Sequence, residues 1–255
     1  MTAILQVETL SKEFGGVQAV ADLSFAIDEG RIHSIIGPNG AGKTTLFNLV
    51  TGVYTPSAGR IVLAGEDITA SPTSARAARG IQRTFQNLQI FFNMTALENV
   101  MVGCHLALKP RVLPSLLRLP SVARADAETE AQAVDLMHYV GLGAWLDADA
   151  DAMPNGALKR LEIARALAAK PRLLLLDEPA AGLNPVETAA IDELIKKIAR
   201  SGTTVVLVEH DMKLVMGVSD HILVLDYGRK LAEGSAAEVR ANPEVIRAYL
   251  GAGAA

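Results

Sequence analysis

The densest chemistry in this chain lies in Gly37-Pro38-Asn39-Gly40-Ala41-Gly42-Lys43-Thr44-Thr45. Its spacing is G-x-x-x-x-G-K-T, set between the apolar run 32–36 and a helix-like pattern with Leu46, Leu49 and Val50 on one face. Strand, glycine-rich loop and helix in that order make a phosphate cradle. The glycines let the backbone curl so that successive N–H groups converge on anionic oxygens. The helix N-terminus behind the loop adds its dipole. Lys43 supplies a point charge for the outer phosphates, and the Thr44 hydroxyl a ligand for Mg²⁺. Asn39, Gly40, Ala41, Gly42 and Thr45 complete the candidate nucleotide-binding set.

A second constellation follows far downstream. Leu173 to Leu176 are four consecutive leucines, and Asp177-Glu178 closes them. Such a run fits a strand buried on both faces of a parallel sheet. Ligands of open α/β sheets bind outside the carboxyl ends of strands, so these acids and the glycine-rich loop converge on one nucleotide. Asp177 suits Mg²⁺, and Glu178 can polarise an attacking water.

The elements that must position these residues alternate between strand and helix patterns. Residues 3–10 and 18–27 read as strands around a turn-rich loop, 11–16, that carries Phe14. Residues 60–64 form a short β segment, 73–79 a short helix, and 81–85 a strand ending at Gln86. From Met94 to Ala169 apolar residues recur three and four apart, as in 127–137, which predicts helices. Within that region the prolines at 110, 114 and 120 forbid one straight helix. The α/β pattern resumes with a helix at 186–200 and a strand at 203–208 ending in Glu209-His210-Asp211. A hairpin-like pair at 221–226 and 230–232 and a helical pair broken at Pro243 end the chain. The class is α/β, one domain over 1–255, with a helical insert at about 91–169.

Composition narrows the partners. The chain has 255 residues, half of them hydrophobic, and a net charge of −4, so it shows no basic footprint for nucleic acid. Mean hydropathy is +0.26, yet no run of about 18 apolar residues exists to span a membrane. The start, Met1-Thr2-Ala3-Ile4-Leu5, lacks the regions of a signal peptide. Cys104 is the single cysteine, which fits a reducing compartment and a small buried side chain. The five histidines show no metal-ligand spacing.

The order of 37–45, Gln86, 173–178 with Pro179, and His210 resembles the ATPase subunit of an ABC transporter over essentially the whole chain. The resemblance implies a P-loop NTPase (RecA-like) core with a mixed sheet, an N-terminal antiparallel β region and an inserted α-helical subdomain. It implies ATP and Mg²⁺ as ligands, with Phe14 stacking on adenine and Thr44, Gln86 and Asp177 around the metal. Glu178, His210 and Gln86 take the catalytic roles, His210 through the γ-phosphate. Residues 181–184 match the loop that crosses a dimer interface, although Asn184 replaces the usual aspartate.

One departure stands out. Where the family carries a signature close to L-S-G-G-Q, this chain has Met153-Pro154-Asn155-Gly156-Ala157. Pro154 offers neither the hydroxyl nor the N–H of the usual serine. Gly156 remains, to act in trans on the partner's ATP, and the helix behind it keeps an apolar face of Leu158, Leu161, Ala164 and Leu167 or Ala168. The resemblance therefore implies a second, non-identical ATPase subunit. Residues 176–185, 209–216 and 247–251, with the proline-broken piece around 106–124, look like the ATPases of branched-chain amino acid importers. That adds two membrane-spanning permease subunits, indirectly a solute-binding protein, and a peripheral place on the cytoplasmic face of the inner membrane. The alternatives are a soluble ABC-type ATPase and a regulatory nucleotide-binding subunit with weak hydrolysis.

Overall fold

The computed structural model describes residues 2–106 and 120–251. It opens with an antiparallel hairpin, β1 (Ala3–Phe14) and β2 (Val17–Asp28), joined by the two-residue turn Gly15-Gly16. The loop expected at 11–16 contracts to that turn, because register shifts along β1 absorb its polar residues and pairing continues to Phe14 opposite Val17. β4 (Ala58–Leu63) pairs with β1 and carries β5 (Glu66–Asp67) at its edge, giving the antiparallel order β2-β1-β4-β5.

The second sheet holds the site. It is built from β3 (Ile32–Ile36), β6 (Ile81–Arg83), β7 (Leu173–Asp177), β8 (Thr204–Val208), β9 (His221–Asp226) and β10 (Arg229–Gly234), in the order β10-β9-β3-β8-β7-β6. All neighbours run parallel except β10, which returns antiparallel to β9, so the sheet is mixed. Val208 lies opposite both Ile35 on β3 and Asp177 on β7. The carboxyl ends of three strands are thus aligned in one row, and each continues into a loop of chemical interest.

The leucine run shows how the sequence selects this layout. Leu173 and Leu175 face one apolar cluster with Phe47, Ile35 and Val206, which fills the space between the two sheets. Leu174 and Leu176 face the other cluster, beneath the helices, with Val205 and Leu207. A strand buried on both faces gains roughly 2 kcal/mol per leucine side chain and leaves no polar position until Asp177.

Helix α1 (Lys43–Thr51) fills the inter-sheet layer behind the glycine-rich loop. Its C-terminal carbonyls are satisfied by the buried Arg76 on α2 (Thr73–Ala78), whose Nη1 donates to Leu49 O at 2.6 Å and Val50 O at 2.9 Å. A cation at that end also complements the helix dipole. On the opposite face lie α3 (Ala96–Gly103), α4 (Pro120–Tyr139), α5 (Asn155–Ala168) and α6 (Pro185–Arg200). Cys104 follows α3 and is buried. α7 (Met212–Val218), α8 (Ala236–Ala241) and α9 (Pro243–Gly251) pack at the β9 edge. The proline-punctuated stretch expected from 106 to 124 falls mostly outside the described residues. Strand β6 stops at Arg83, short of the expected 85, because the Phe85 N–H leaves the sheet for Glu162 Oε1 at 3.3 Å. Among the described residues no helix is long and apolar enough to cross a membrane.

Candidate functional site

The glycine-rich loop wraps the start of α1. Gly42 has φ 96°, and a Cβ there would sit 2.5 Å from the Ala19 carbonyl, so no other residue fits without moving β2. Ala41 N–H donates to Pro38 O at 3.1 Å and Leu46 N–H to Gly42 O at 2.9 Å, which sets the curl and starts the helix. Lys43 Nζ folds back over the loop, donating to Gly37 O at 2.6 Å and Pro38 O at 2.9 Å. Burial lowers the Lys43 pKa, and the nearby Glu178 and Asp177 carboxylates oppose that shift. A cation held at the loop by two carbonyls is poised to exchange them for phosphate oxygens.

A cleft of about 270 Å³ opens over the loop, lined by Asn39, Gly40, Ala41, Gly42, Lys43, Thr44 and Thr45 on one side and Gln86 and Glu178 on the other. Gln86 Nε2 donates to Glu178 Oε2 at 3.1 Å. Glu178 takes φ 49°, an uncommon conformation for a side-chain-bearing residue, as its N–H reaches Val208 O at 2.9 Å. His210 Nδ1 stands 3.9 Å from Glu178 Oε2, with its ring 70% exposed. Of the residues singled out from sequence, then, the loop, Gln86, Glu178 and His210 converge.

Thr44, Asp177 and Gln86 offer a hydroxyl, a carboxylate and an amide oxygen, hard donors of the kind Mg²⁺ takes. Among the described residues no group of three His, Cys, Asp or Glu could cage a metal. This donor set therefore fits an ion held by one carboxylate and by the nucleotide's own phosphates.

Four buried charged residues escape sequence reasoning, and each holds one of the loops. Arg83 Nη2 meets Asp177 Oδ2 at 2.6 Å. Lys159 Nζ, on α5, lies 3.4 Å from both the Gln86 and Glu178 carbonyls. Glu162, three residues on, accepts from Phe85 and Gln89 N–H groups, and burial raises its pKa. Glu209 accepts from Ala180 N–H at 2.9 Å and His210 N–H at 3.1 Å, and burial raises its pKa too.

Other expected residues stand apart. Phe14 is 41% exposed at the end of β1, with the Tyr54 ring edge-on at 5.1 Å and Lys12 Nζ 4.9 Å above its face, and it does not line the cleft. Gly156 is buried at the start of α5, and a Cβ there would lie 2.5 Å from Glu187 Oε1. The glycine thus has a packing reason within its own chain. Pro154 occupies the N-cap position with no side-chain hydrogen bond to the helix. Asn184 caps α6, accepting from Val186 and Glu187 N–H groups at 3.0 Å while Glu187 reaches back to its own N–H. Asn and Asp serve that cap equally well.

Comparison with known proteins agrees with this geometry. The family model described as ABC transporter matches residues 20–181, and that of the branched-chain amino acid ATP-binding cassette transporter matches 229–255. The chain is 45% identical over 249 residues to the high-affinity branched-chain amino acid transport ATP-binding protein BraF of Pseudomonas aeruginosa, covering 97% of this chain and 98% of that one. The figures for LivG of Escherichia coli, described in the same words, are identical. A crystal structure of an ABC transporter's ATP-binding cassette in its ADP conformation superposes with a TM-score of 0.86 at 31% identity, covering 98% of this chain and all of the other. A nucleotide-free cassette gives 0.85 at 31% identity, covering 97% and 99%. With a family model over more than half its length and relatives matched nearly end to end, the chain belongs to the ATP-binding cassette family of ABC transporters.

Proposed function

We propose that this chain is the ATP-hydrolysing subunit of an importer for branched-chain or related amino acids, seated beneath separate membrane-spanning subunits. The observation that carries the catalytic part is the convergence of Lys43 and Thr44 with Gln86 and Glu178 in one cleft. The substrate class comes from relatives named for branched-chain amino acid transport, since nothing in the cleft would touch a solute.

The chemistry follows from positions. On nucleotide entry Lys43 gives up the Gly37 and Pro38 carbonyls and takes phosphate oxygens instead. Adenine extends toward the exposed Phe14, beyond the cleft. Glu178, aligned through Gln86, orients a water in line with the γ-phosphorus, and His210 meets the charge that develops there. Mg²⁺, when bound, neutralises β- and γ-oxygen charge, and Thr44, Asp177 and Gln86 are the residues that would hold it. Little covalent work is asked of the protein, so positioning and electrostatics carry the rate.

The finer assembly is part of the same proposal. One ATPase domain, with its helical insert at about 91–169, pairs head to tail with a second, non-identical ATPase subunit. Gly156 and the α5 N-terminus face that partner's ATP, where Pro154 leaves a weak half-site. Two permease subunits and indirectly a solute-binding protein complete the complex, at the cytoplasmic face. ATP-dependent leucine uptake into vesicles holding the reconstituted complex tests the function, and uptake indifferent to Glu178→Gln would remove it. Light scattering of purified Glu178→Gln tests the pairing: it stays monomeric with Mg-ATP if the unlike partner is required, and dimerises if Pro154 is no obstacle.

A further inference from the structure

We propose that Arg83 is a positioning residue that sets how much Mg²⁺ the nucleotide site demands, and that it makes this demand sensitive to what occupies the groove between β6 and α5. The guanidinium spans two elements. Nη2 pairs with Asp177 Oδ2 at 2.6 Å and Nη1 donates to Asn48 Oδ1 at 2.5 Å on α1, while its charge lies 5.4 Å and 5.0 Å from the Phe47 and Phe85 ring centres. The paired side chains are 7% and 5% exposed, so solvent screens the pair poorly.

This pairing acts against a metal. A cation approaching Asp177 meets a carboxylate whose charge is already balanced, and it meets the guanidinium's repulsion. Remove the guanidinium charge and a buried carboxylate is left uncompensated, which is strongly unfavourable until another cation arrives. Mg²⁺ is then the natural replacement, and the site should fill at lower metal concentration.

The same side chain also touches the groove. Gln82 and Arg83 line a cavity of about 370 Å³, together with Phe91, Glu162 and Arg165. Arg83 Nε and Gln82 Nε2 are both buried, and neither has a hydrogen-bond partner. Buried donors of this kind are rare and costly in a settled structure. They mark a side chain that gains an acceptor when its surroundings shift. A docked segment that presents a carbonyl or carboxylate oxygen to this edge would draw Arg83 toward itself and loosen its hold on Asp177. Groove and metal site would then be coupled reciprocally. This second link rests on the transporter reading above, whereas the metal dependence of the isolated chain does not.

The test is a Mg²⁺ titration of fluorescent ATP-analogue binding to the full-length chain, with a parallel series in EDTA. Arg83→Met should reach half-saturation at Mg²⁺ concentrations lower by on the order of tenfold, a typical size for coupled sites. Its metal-free nucleotide affinity should stay within about twofold of the parent, since the loop amides and Lys43 are untouched. Arg83→Lys keeps a cation and should remain near the parent. A raised Mg²⁺ requirement, or an affinity loss equal with and without metal, would show a merely structural role and overturn the proposal. Should Arg83→Met fail to fold, Asn48→Ala removes the second anchor and should shift the requirement the same way by less; no shift counts against the idea. In the complex assembled with its permease subunits, the parent should need less Mg²⁺ than the isolated chain, and Arg83→Met should show no such difference. An equal drop in both would sever the groove link while leaving the transport function standing.

Discussion

Glu209 offers the sharpest test of how the loops are held. Its carboxylate is about 1% exposed and accepts from Ala180 N–H at 2.9 Å, His210 N–H at 3.1 Å and, at a long 3.5 Å, Asp211 N–H. Glu209→Ala leaves the Ala180 amide buried without a partner, at a cost of about 1–3 kcal/mol. The other two amides are half-exposed and can recruit water, so they add about 1 kcal/mol together. Against this stands the relief of no longer burying a charge, whose cost is visible in the raised Glu209 pKa. A net loss of about 2–3 kcal/mol follows, or roughly 4–12 °C in melting temperature for a domain of this size. Function should suffer in a particular way. Glu209 lies outside the cleft lining but fixes the backbone of His210 and the loop after Glu178, so kcat should fall at least tenfold while ATP affinity changes little. Differential scanning calorimetry and steady-state phosphate release on the same preparation would decide. An unchanged melting temperature, or a loss confined to nucleotide affinity, would refute the reasoning.

Further outcomes follow from the same geometry. Lys43→Ala should abolish measurable binding of a fluorescent ATP analogue, because no other cation lines the cleft. Glu178→Gln should bind ATP at least as well as the parent and lose about 10²–10⁴ in kcat, read by phosphate release. Gly42→Ala should fold, by circular dichroism, yet bind nucleotide at least tenfold more weakly, since its Cβ would meet Ala19 O at 2.5 Å and the nest must open. Glu162 has a folded pKa raised by burial, so its ionisation on folding weakens stability as pH climbs from about 4.5 through that raised value. Glu162→Gln keeps an acceptor for Phe85 and should gain stability relative to the parent between pH 5 and 7.5 in urea titrations.

The loop at 37–45 and the acids at 177–178 were legible in sequence because their information is local. A strict spacing in one case, and an apolar run bounded by charge in the other, need no knowledge of what packs nearby. Arg83, Lys159, Glu162 and Glu209 were not, because an isolated charge in a strand or helix pattern reads as solvated. Only the register that sets β6 beside β7 brings Arg83 to Asp177, 94 residues away. Lys159 and Glu162 left a faint signal, since they are interleaved with Leu158 and Leu161 on the stripe that α5 buries. Asn184-Pro185 followed by Glu187 is a capping box written in the sequence, and family resemblance drew attention to an interface instead. Phe14 looked like a loop residue because register shifts in a hairpin leave no periodic trace.

The buried charges also explain how movement could leave the cleft. A buried ion pair is weak evidence for stability, since desolvation offsets most of its attraction. What the four residues contribute here is geometry. Lys159 ties α5 to the backbone of Gln86 and Glu178 at once, and Glu162 ties it to Phe85 and Gln89 on either side of Gln86. α5 begins at Asn155, whose side chain contacts Gly182 O at 3.4 Å, in the loop that follows Glu178. A change at the γ-phosphate that displaces Gln86 or Glu178 therefore pulls on α5 through buried, directional bonds, and these do not stretch gradually. Such contacts either hold or break, which is what a two-state element requires. Lys159→Met, matched in length but without the donor, separates geometry from stability. It should leave the melting temperature within a few degrees, because desolvation offsets the lost attraction. It should also uncouple ATP hydrolysis from transport in the reconstituted complex, with phosphate release continuing as uptake falls. Loss of both activities in step would mean that Lys159 serves the chemistry itself and does not link it to α5.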